Sequence, residues 1–570
     1  MYVRTVTRTN KSGSTTSYLQ LASNQWDPVR KRSVVTVVAN LGRVDQGGAD
    51  QVANLAQACL RYLGTPPTDP TNIPEATMSR PAGGAWILDG IWRQVGLDKI
   101  ITQWTRPGPG RKKNMDKVER ILFGMVADRW LAPSSKLMGA EWMTQDVAIP
   151  GMVDDVSDDE CYRAMDWLVE AGDVFARQVY DSVADLVNLE VDLVFFDTTS
   201  TYFETEVGDE PAPRDSTGMI CDDEDAVTRV GFRTWGKSKD SRGDLPHIVV
   251  GMAVTRGGIP IRIWSWPGNT NDSALIRQAR TELRDWTLSK VVWVADRGFS
   301  SQDNRTELMR GGDGYILGEK LRSGSDEAQA ALTRPGRYRV VADNLQAKEV
   351  TIGATDRFVV CDNPDEAIRD EHTRTRLVAR LEDMIDGSDT MTDIKRAELR
   401  GKISTMPGLN RFLRVTPTGL LRVDKHTIAT EVGLDGKYLL RTSDPRLSTA
   451  DIAHGYTQLL QVERGWRDMK STLELRPVYH RLEDRIRAHV VLCWLALLLI
   501  RIIETHTGRT WNQIRREMSR LHEITYQTPD GRIRTHTTTT PAQQQILDTL
   551  HLDAPPRAAI TPLTSRNTNS

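Results

Sequence analysis

The sequence predicts an α/β protein whose sheet-forming core is interrupted by a β-rich insertion and preceded by N-terminal β and helical regions. Three observations carry that expectation. Two continuous apolar runs, Val191-Asp-Leu-Val-Phe-Phe-Asp197 and Val291-Val-Trp-Val-Ala-Asp296, read as central strands covered on both faces. Turn signals at Gly257-Gly258 and Asp435-Gly436 read as β-hairpins. Apolar residues at three- and four-residue spacing run through 48–187 and again from Asp484 to Glu504, as amphipathic or buried helices require.

Bulk properties bound the answer. A chain of 570 residues is too long for one core and divides into about three or four domains. With 39% hydrophobic and 26% charged residues it is an ordinary globular composition, which excludes wholesale disorder. The net charge of -2 argues against a uniform electrostatic coat for nucleic acid, although acids elsewhere can cancel local basic patches. Five scattered cysteines form no Cys-x-x-Cys pair, which argues against a zinc site or disulfide framework and suits a reducing cytoplasm. The N-terminus lacks the apolar stretch of a signal peptide, and the run Val490–Ile503 reads as a buried core helix, so no membrane is expected.

Residues 1–47 read as a small β unit from Tyr18–Leu21 and Val34–Val38. The cluster Arg30-Lys31-Arg32 within it suits DNA contact or a solvated loop equally. From 48 to 187 the candidate helices are Asp50–Leu63, Ala85–Thr105, Met115–Leu131, Ser134–Met143 and Asp158–Val187. The linker bearing Arg106, Arg111, Lys112 and Lys113 offers phosphate contacts or solvated charge. The core begins at 188: strand to Asp197, hairpin Ile248–Thr255 and Pro260–Trp266, helix Asn271–Thr287, strand to Asp296, and Gly314–Gly318. The insertion, 320–435, has strand signals at Tyr338–Ala342, Glu349–Ile352, Arg357–Val360, Leu420–Val423 and Ile428–Leu434, around a charged helical segment Asp365–Lys402. The core resumes over 436–507, and 508–570 reads as one helix, Trp511–Leu521, and a Thr-, Pro- and Gln-rich tail.

The stretch Tyr456–Lys470 reads as one helix on which Tyr456, Glu463 and Lys470 recur every seven residues and share a side. Judged alone, Glu463 fits an ordinary surface pair with Arg467 at i+4. The two aspartates change that balance. Each could cap the turn after its strand. Together, at the carboxyl ends of neighbouring strands, they would repel unless a cation joined them, and oxygen ligands select Mg²⁺ or Mn²⁺.

The order strand–Asp197, hairpin, helix, strand–Asp296, insertion and Glu463 helix resembles the DDE transposases of bacterial insertion sequences. The nearer resemblance is to the branch with a Tyr-x2-Arg-x3-Glu-x6-Lys signature, matched here at Tyr456, Glu463 and Lys470, with Leu459 at the arginine position. Phe196-Asp-Thr-Thr-Ser, Ala295-Asp-Arg-Gly-Phe and Arg476-Pro-Val-Tyr-His also match. The resemblance implies a ribonuclease-H-like catalytic core over 188–319 and 436–507. It implies Asp197, Asp296 and Glu463 as catalytic residues holding two Mg²⁺ ions, with Mn²⁺ as a substitute. It implies Tyr456 and Lys470 as DNA contacts, with Arg464 or Arg467 compensating for Leu459; Arg297, Lys237 and Lys239 are further candidates. The partners implied are terminal inverted repeats, target DNA and a second copy in a synaptic homodimer, with end binding by the N-terminal regions. Competing readings are a purely hydrolytic nuclease of the same fold and an inactive DNA-binding derivative. Relatives can pass through a hairpin intermediate with a base against an insertion tryptophan. No Trp lies between Trp293 and Trp466, so Tyr338 or Phe412 would take that part, or the route differs.

Overall fold

The computed structural model describes residues 2–9, 15–27, 32–44, 48–62, 75–104, 114–186, 191–215, 218–222, 228–286, 290–353, 356–476, 478, 480–528 and 531–562. Arg30, Lys31, Arg106, Arg111, Lys112 and Lys113, singled out above, lie outside the described residues. The chain divides into two compact units, 1–79 with 524–535 and 558–570, and 80–523 with 536–557.

The first unit holds an antiparallel sheet of β1 (Tyr2–Thr9), β2 (Thr15–Asp27) and β3 (Arg32–Arg43), with β2 in the middle. Helix α1 (Gly48–Tyr62) packs on β2 and β3. Most of β4 (Ala76–Pro81) also belongs to this unit.

The second unit opens with helices α2 (Gly83–Gln94), α3 (Leu97–Thr102), α4 (Met115–Leu131), α5 (Lys136–Glu141) and α6 (Asp158–Leu186). The single helix expected from 85 to 105 is divided at Gly96, whose φ of 76° ends α2 and admits the turn into α3. Asn114 caps α4 by accepting from the Lys117 N–H, and α4 is then buried almost continuously from Glu119 to Trp130. A helix buried this continuously belongs inside a core, and its buried charges are paired there, Arg120 with Glu119 and Asp89 and Arg129 with Asp128.

The sheet that follows is built from β5 (Leu193–Tyr202), a side ribbon of β6 (Ala212–Arg214) and β7 (Thr228–Val230), the hairpin β8 (His247–Thr255) and β9 (Pro260–Pro267), α7 (Asp272–Asp285), β10 (Val292–Ala295), α8 (Gln302–Met309) and β11 (Gly314–Glu319). Next come α9 (Asp326–Thr333), β12 (Arg339–Ala342), β13 (Leu345–Ile352), β14 (Asp356–Asp362), α10 (Pro364–Ile385), α11 (Asp393–Ser404), α12 (Pro407–Asn410), β15 (Leu413–Val415), β16 (Leu421–Val423), α13 (Lys425–Val432) and β17 (Lys437–Thr442). Nine strands form one mixed sheet in the order β12-β13-β14-β17-β11-β10-β5-β8-β9. Its centre, β11-β10-β5, is parallel, and the flanking pairs are antiparallel. Parallel strands need cover on both faces, which is why Leu193–Phe196 of β5, Val292–Ala295 of β10 and Tyr315–Leu317 of β11 are apolar runs.

In the interval 320–435 strands β12–β14 join the central sheet, and the segment expected to be helical, Asp365–Lys402, forms α10 and α11. Helices α10 and α11 and strands β15 and β16 enclose a small core of Leu381, Ile403, Leu409 and Phe412. The expected strand Ile428–Leu434 is helix α13, because Asp424 accepts from the His426 and Thr427 N–H groups and starts a helix despite the β-branched residues after it. The Asp435-Gly436 turn therefore joins a helix to β17 and is not a hairpin.

The chain ends with α14 (Thr449–Thr457), α15 (Leu460–Ser471), α16 (Glu483–Thr507), α17 (Trp511–Met518), β18 (His522–Thr528), β19 (Gly531–His536), α18 (Pro541–Thr549) and β20 (Ala558–Pro562). Strands β20-β19-β18-β4 pair in that order, largely within the first unit. Helix α16 is long and apolar enough to cross a membrane, but 89% of its apolar window is buried inside the protein, against α6, β9 and α4. It is the core helix its sequence suggested.

Candidate active site

Asp197 lies on β5 opposite Met252 of β8. Strand β10 runs parallel to β5 with Val294 level with Phe195, and Asp296 directly follows its last residue, Ala295. Helix α15 supplies Glu463. Its Val462, Gly465, Trp466 and Met469 are buried at three- and four-residue spacing, so α15 lies on β5 and β8 and leaves Glu463 and Arg467 exposed beside that stripe. Gly465 permits close approach: a Cβ there would come 2.7 Å from Met252 Cε.

Asp197 lies within electrostatic reach of the other two carboxylates. Burial is the main cause that pushes the Asp197 carboxyl up to about 6; Lys239 and the Thr198 backbone N–H pull it down, and the charges of Asp296 and Glu463 push it up. Glu463 has no ion-pair partner among the described residues, so the i+4 pair with Arg467 is not formed. Oxygen-only donors and mutual repulsion suit a hard divalent cation. Among the described residues no three His, Cys, Asp or Glu side chains close into a metal-holding cluster. The carboxylates are thus gathered without being drawn together.

The helix expected from 456 to 470 is two helices. Helix α14 ends at Thr457, Gln458 and Leu459 make a turn, and α15 starts at Leu460. Leu459, at the position where the resembling branch carries arginine, is 8% exposed and packs in the main core, so a charge there would be buried. The break turns Tyr456 toward the strands: its hydroxyl donates to Asp296 Oδ1 at 3.2 Å, and its ring stacks on Tyr438. Burial, and next the Asp296 charge, raise the phenol pKa, so Tyr456 stays a donor. Gly318 makes the seat, because a Cβ there would lie 2.6 Å from the Tyr456 hydroxyl.

The basic residues divide into two groups. Arg297, Arg467 and Lys237 are exposed, with no ion pair among the described residues. The others are occupied. Lys470 Nζ bonds Asp240 Oδ1 at 2.7 Å, and Arg476 reaches the same oxygen at 3.0 Å. Arg464 bonds Glu504 at 2.8 Å within a network that joins Asp468 and Arg501. Lys239 Nζ lies 3.8 Å from Asp197 and 3.1 Å from Asp272. Asp240 and Asp272 escaped the sequence reading. The Lys-Ser-Lys-Asp run at 237–240 was the signal for the first, and nothing local marked the second. Of the aromatics considered for base stacking, Phe412 is 1% exposed in the small helical core and unavailable; Tyr338 is half-buried beneath Lys348.

A family model described as a transposase DDE domain matches residues 215–499, half of the chain. Among solved structures, the chain is similar to a piggyBac transposase synaptic complex with hairpin DNA, determined by cryo-EM. The two share 12% identity over 76% of each chain at a TM-score of 0.34, too low to support further argument. No curated protein matches the chain.

Proposed function

Because the chain belongs to the transposase DDE-domain family, we propose that it binds the terminal inverted repeats of a bacterial insertion sequence, cleaves DNA at the element ends and joins them to target DNA. The observation that supports this reading is placement: Asp197 lies on β5, Asp296 directly follows β10, the strand parallel to β5, and Glu463 lies on α15, which packs on β5 and β8. The order of β5, the β8–β9 hairpin, α7, β10 and then the Glu463 helix supports a ribonuclease-H-like catalytic core.

Asp197, Asp296 and Glu463 would hold two Mg²⁺ ions, or Mn²⁺ in their place, as divalent-metal chemistry in such enzymes requires. When bound, these supply activation of an attacking water or 3′-hydroxyl and stabilisation of the departing oxygen. Tyr456 fixes the orientation of Asp296 through its hydrogen bond. Arg297, Arg467 and Lys237 offer free cations for backbone phosphates, and such contacts set register without reading sequence. Lys470 and Arg476 would join them once released from Asp240. Synapsis of two ends would take a homodimer.

The test uses linear DNA carrying an element end, with binding, cleavage and joining of precut ends measured separately. Asp197→Ala should bind ends nearly as wild type and neither cleave nor join. Cleavage retained by that variant would sink the assignment, and cleavage without joining by the wild type would make the protein a hydrolytic nuclease.

A further inference from the structure

We propose that Lys239 is a resident cation of the acidic site, in a position that repels an incoming divalent ion, so that its ammonium sets how tightly the DNA-free protein binds metal. This rests on the reading of Asp197, Asp296 and Glu463 as cation ligands.

Lys239 Nζ lies 2.6 Å from both the carbonyl oxygen and Oγ1 of Thr198, 3.1 Å from Asp272 Oδ2 and 3.8 Å from Asp197 Oδ1. Four oxygens from three residues around one positive centre are the donors a hard cation takes. An ammonium has three N–H donors. Thr198 takes two of them and Asp272 is an ion-pair partner, while Asp197 lies beyond hydrogen-bond distance, so Lys239 acts on Asp197 through charge. The placement is built into the loop. The Lys239 N–H donates to Ser200 Oγ at 2.8 Å, on the same strand as Asp197. Ser238 Oγ accepts from the Asp240 and Arg242 N–H groups, and Ser241 takes a φ of 58° to complete the turn. The next side chain, Asp240, is bonded to Lys470 and Arg476. The loop thus holds the Lys239 backbone beside β5, and its side chain, 35% exposed, reaches into the site.

A divalent ion on Asp197 would rest within a few ångströms of that ammonium, and like charges at such range repel by more than thermal energy even when solvent screens them. Replacing Lys239 with a neutral side chain of similar length removes the repulsion and leaves the carboxylates. A lysine whose only role is to touch DNA would leave metal binding by the DNA-free protein unchanged.

The experiment is Mn²⁺ titration of the full-length, DNA-free protein, with free Mn²⁺ read by electron paramagnetic resonance. Lys239→Met should bind Mn²⁺ about tenfold more tightly than wild type, or hold one ion more. Lys239→Arg keeps the charge and should stay near wild type; Asp197→Ala should lose binding. If Lys239→Met folds poorly, Lys239→Gln serves in its place, with the thermal midpoint as the control. Equal or weaker binding by the neutral variant, with binding still lost in Asp197→Ala, overturns the role of Lys239 and leaves the carboxylate reading standing. Absence of binding in the wild type and the neutral variants alike overturns both.

Discussion

Substitution of Gly318 by alanine tests how the site is held. The new methyl would lie 2.6 Å from the Tyr456 hydroxyl and 3.1 Å from the Arg297 backbone nitrogen. Neither neighbour is the tip of a flexible side chain. The phenol ring is stacked on Tyr438 at 5.7 Å between centroids and 24° between planes. To reach ordinary contact the hydroxyl must withdraw by about 1 Å. That would carry its 3.2 Å hydrogen bond to Asp296 out of range. Overpacking costs about 1–3 kcal/mol, and loss of a hydrogen bond to a charged acceptor about 1.5–3 kcal/mol. Tyr456→Phe alone forfeits the hydrogen bond. In that background the alanine methyl meets the ring carbon at 3.3 Å, a contact that small adjustment relieves. The double variant should therefore be less destabilised than the sum of the singles by about 1–2 kcal/mol. Denaturant unfolding of the four proteins, followed by tryptophan fluorescence, measures the coupling. Additivity within about 0.5 kcal/mol would refute the proposition that Gly318 exists to seat the Tyr456 hydroxyl.

Two further outcomes concern buried charge. Lys136, 4% exposed, has its pKa lowered to about 8, by burial first and then by Arg129. Since the folded value lies below the unfolded one, the burden is fully present below pH 8 and is lifted as pH rises toward 10.5. Lys136→Met should thus stabilise the protein by up to about 3 kcal/mol at pH 7, with the gain shrinking between pH 8 and 10.5 in unfolding measured across pH. Arg501, 3% exposed, bonds Asp468 at 2.6 Å and Glu504 at 2.7 Å. Arg501→Leu leaves Arg464 as the remaining ion-pair partner of both acids and should cost about 3–5 kcal/mol, whereas exchange of the exposed Arg467 should cost under about 0.5 kcal/mol, both read by denaturant unfolding.

Much of this site could be read along the chain because its determinants are local. A strand covered on both faces must be apolar, so Val191–Phe196 and Val291–Ala295 announced themselves, and the carboxylates ending them stood out against that background. The apolar stripe of α15 and the burial of α16 follow equally from periodicity. The helix break at Gln458-Leu459 was hidden, because neither residue is a helix breaker and the periodicity runs through it. Within the insertion the charged segment Asp365–Lys402 was legible as helix and is α10 and α11, whereas α13 was obscured by β-branched residues, which its cap overrides.

The sequence by itself determined which strands lie at the centre, which carboxylates end or flank them, and which helix is buried, since each depends on the order of side chains along one element. Only the tertiary structure decided the partners of the charges. It joined Tyr456 to Asp296, Lys470 to Asp240, Arg464 to Glu504 and Lys239 to Asp197 and Asp272, and left Glu463, Arg297 and Arg467 without an ion pair among the described residues. A charge pairs with whatever the fold brings within a few ångströms, and residues separated by 33 to 230 positions carry no trace of that distance in their order.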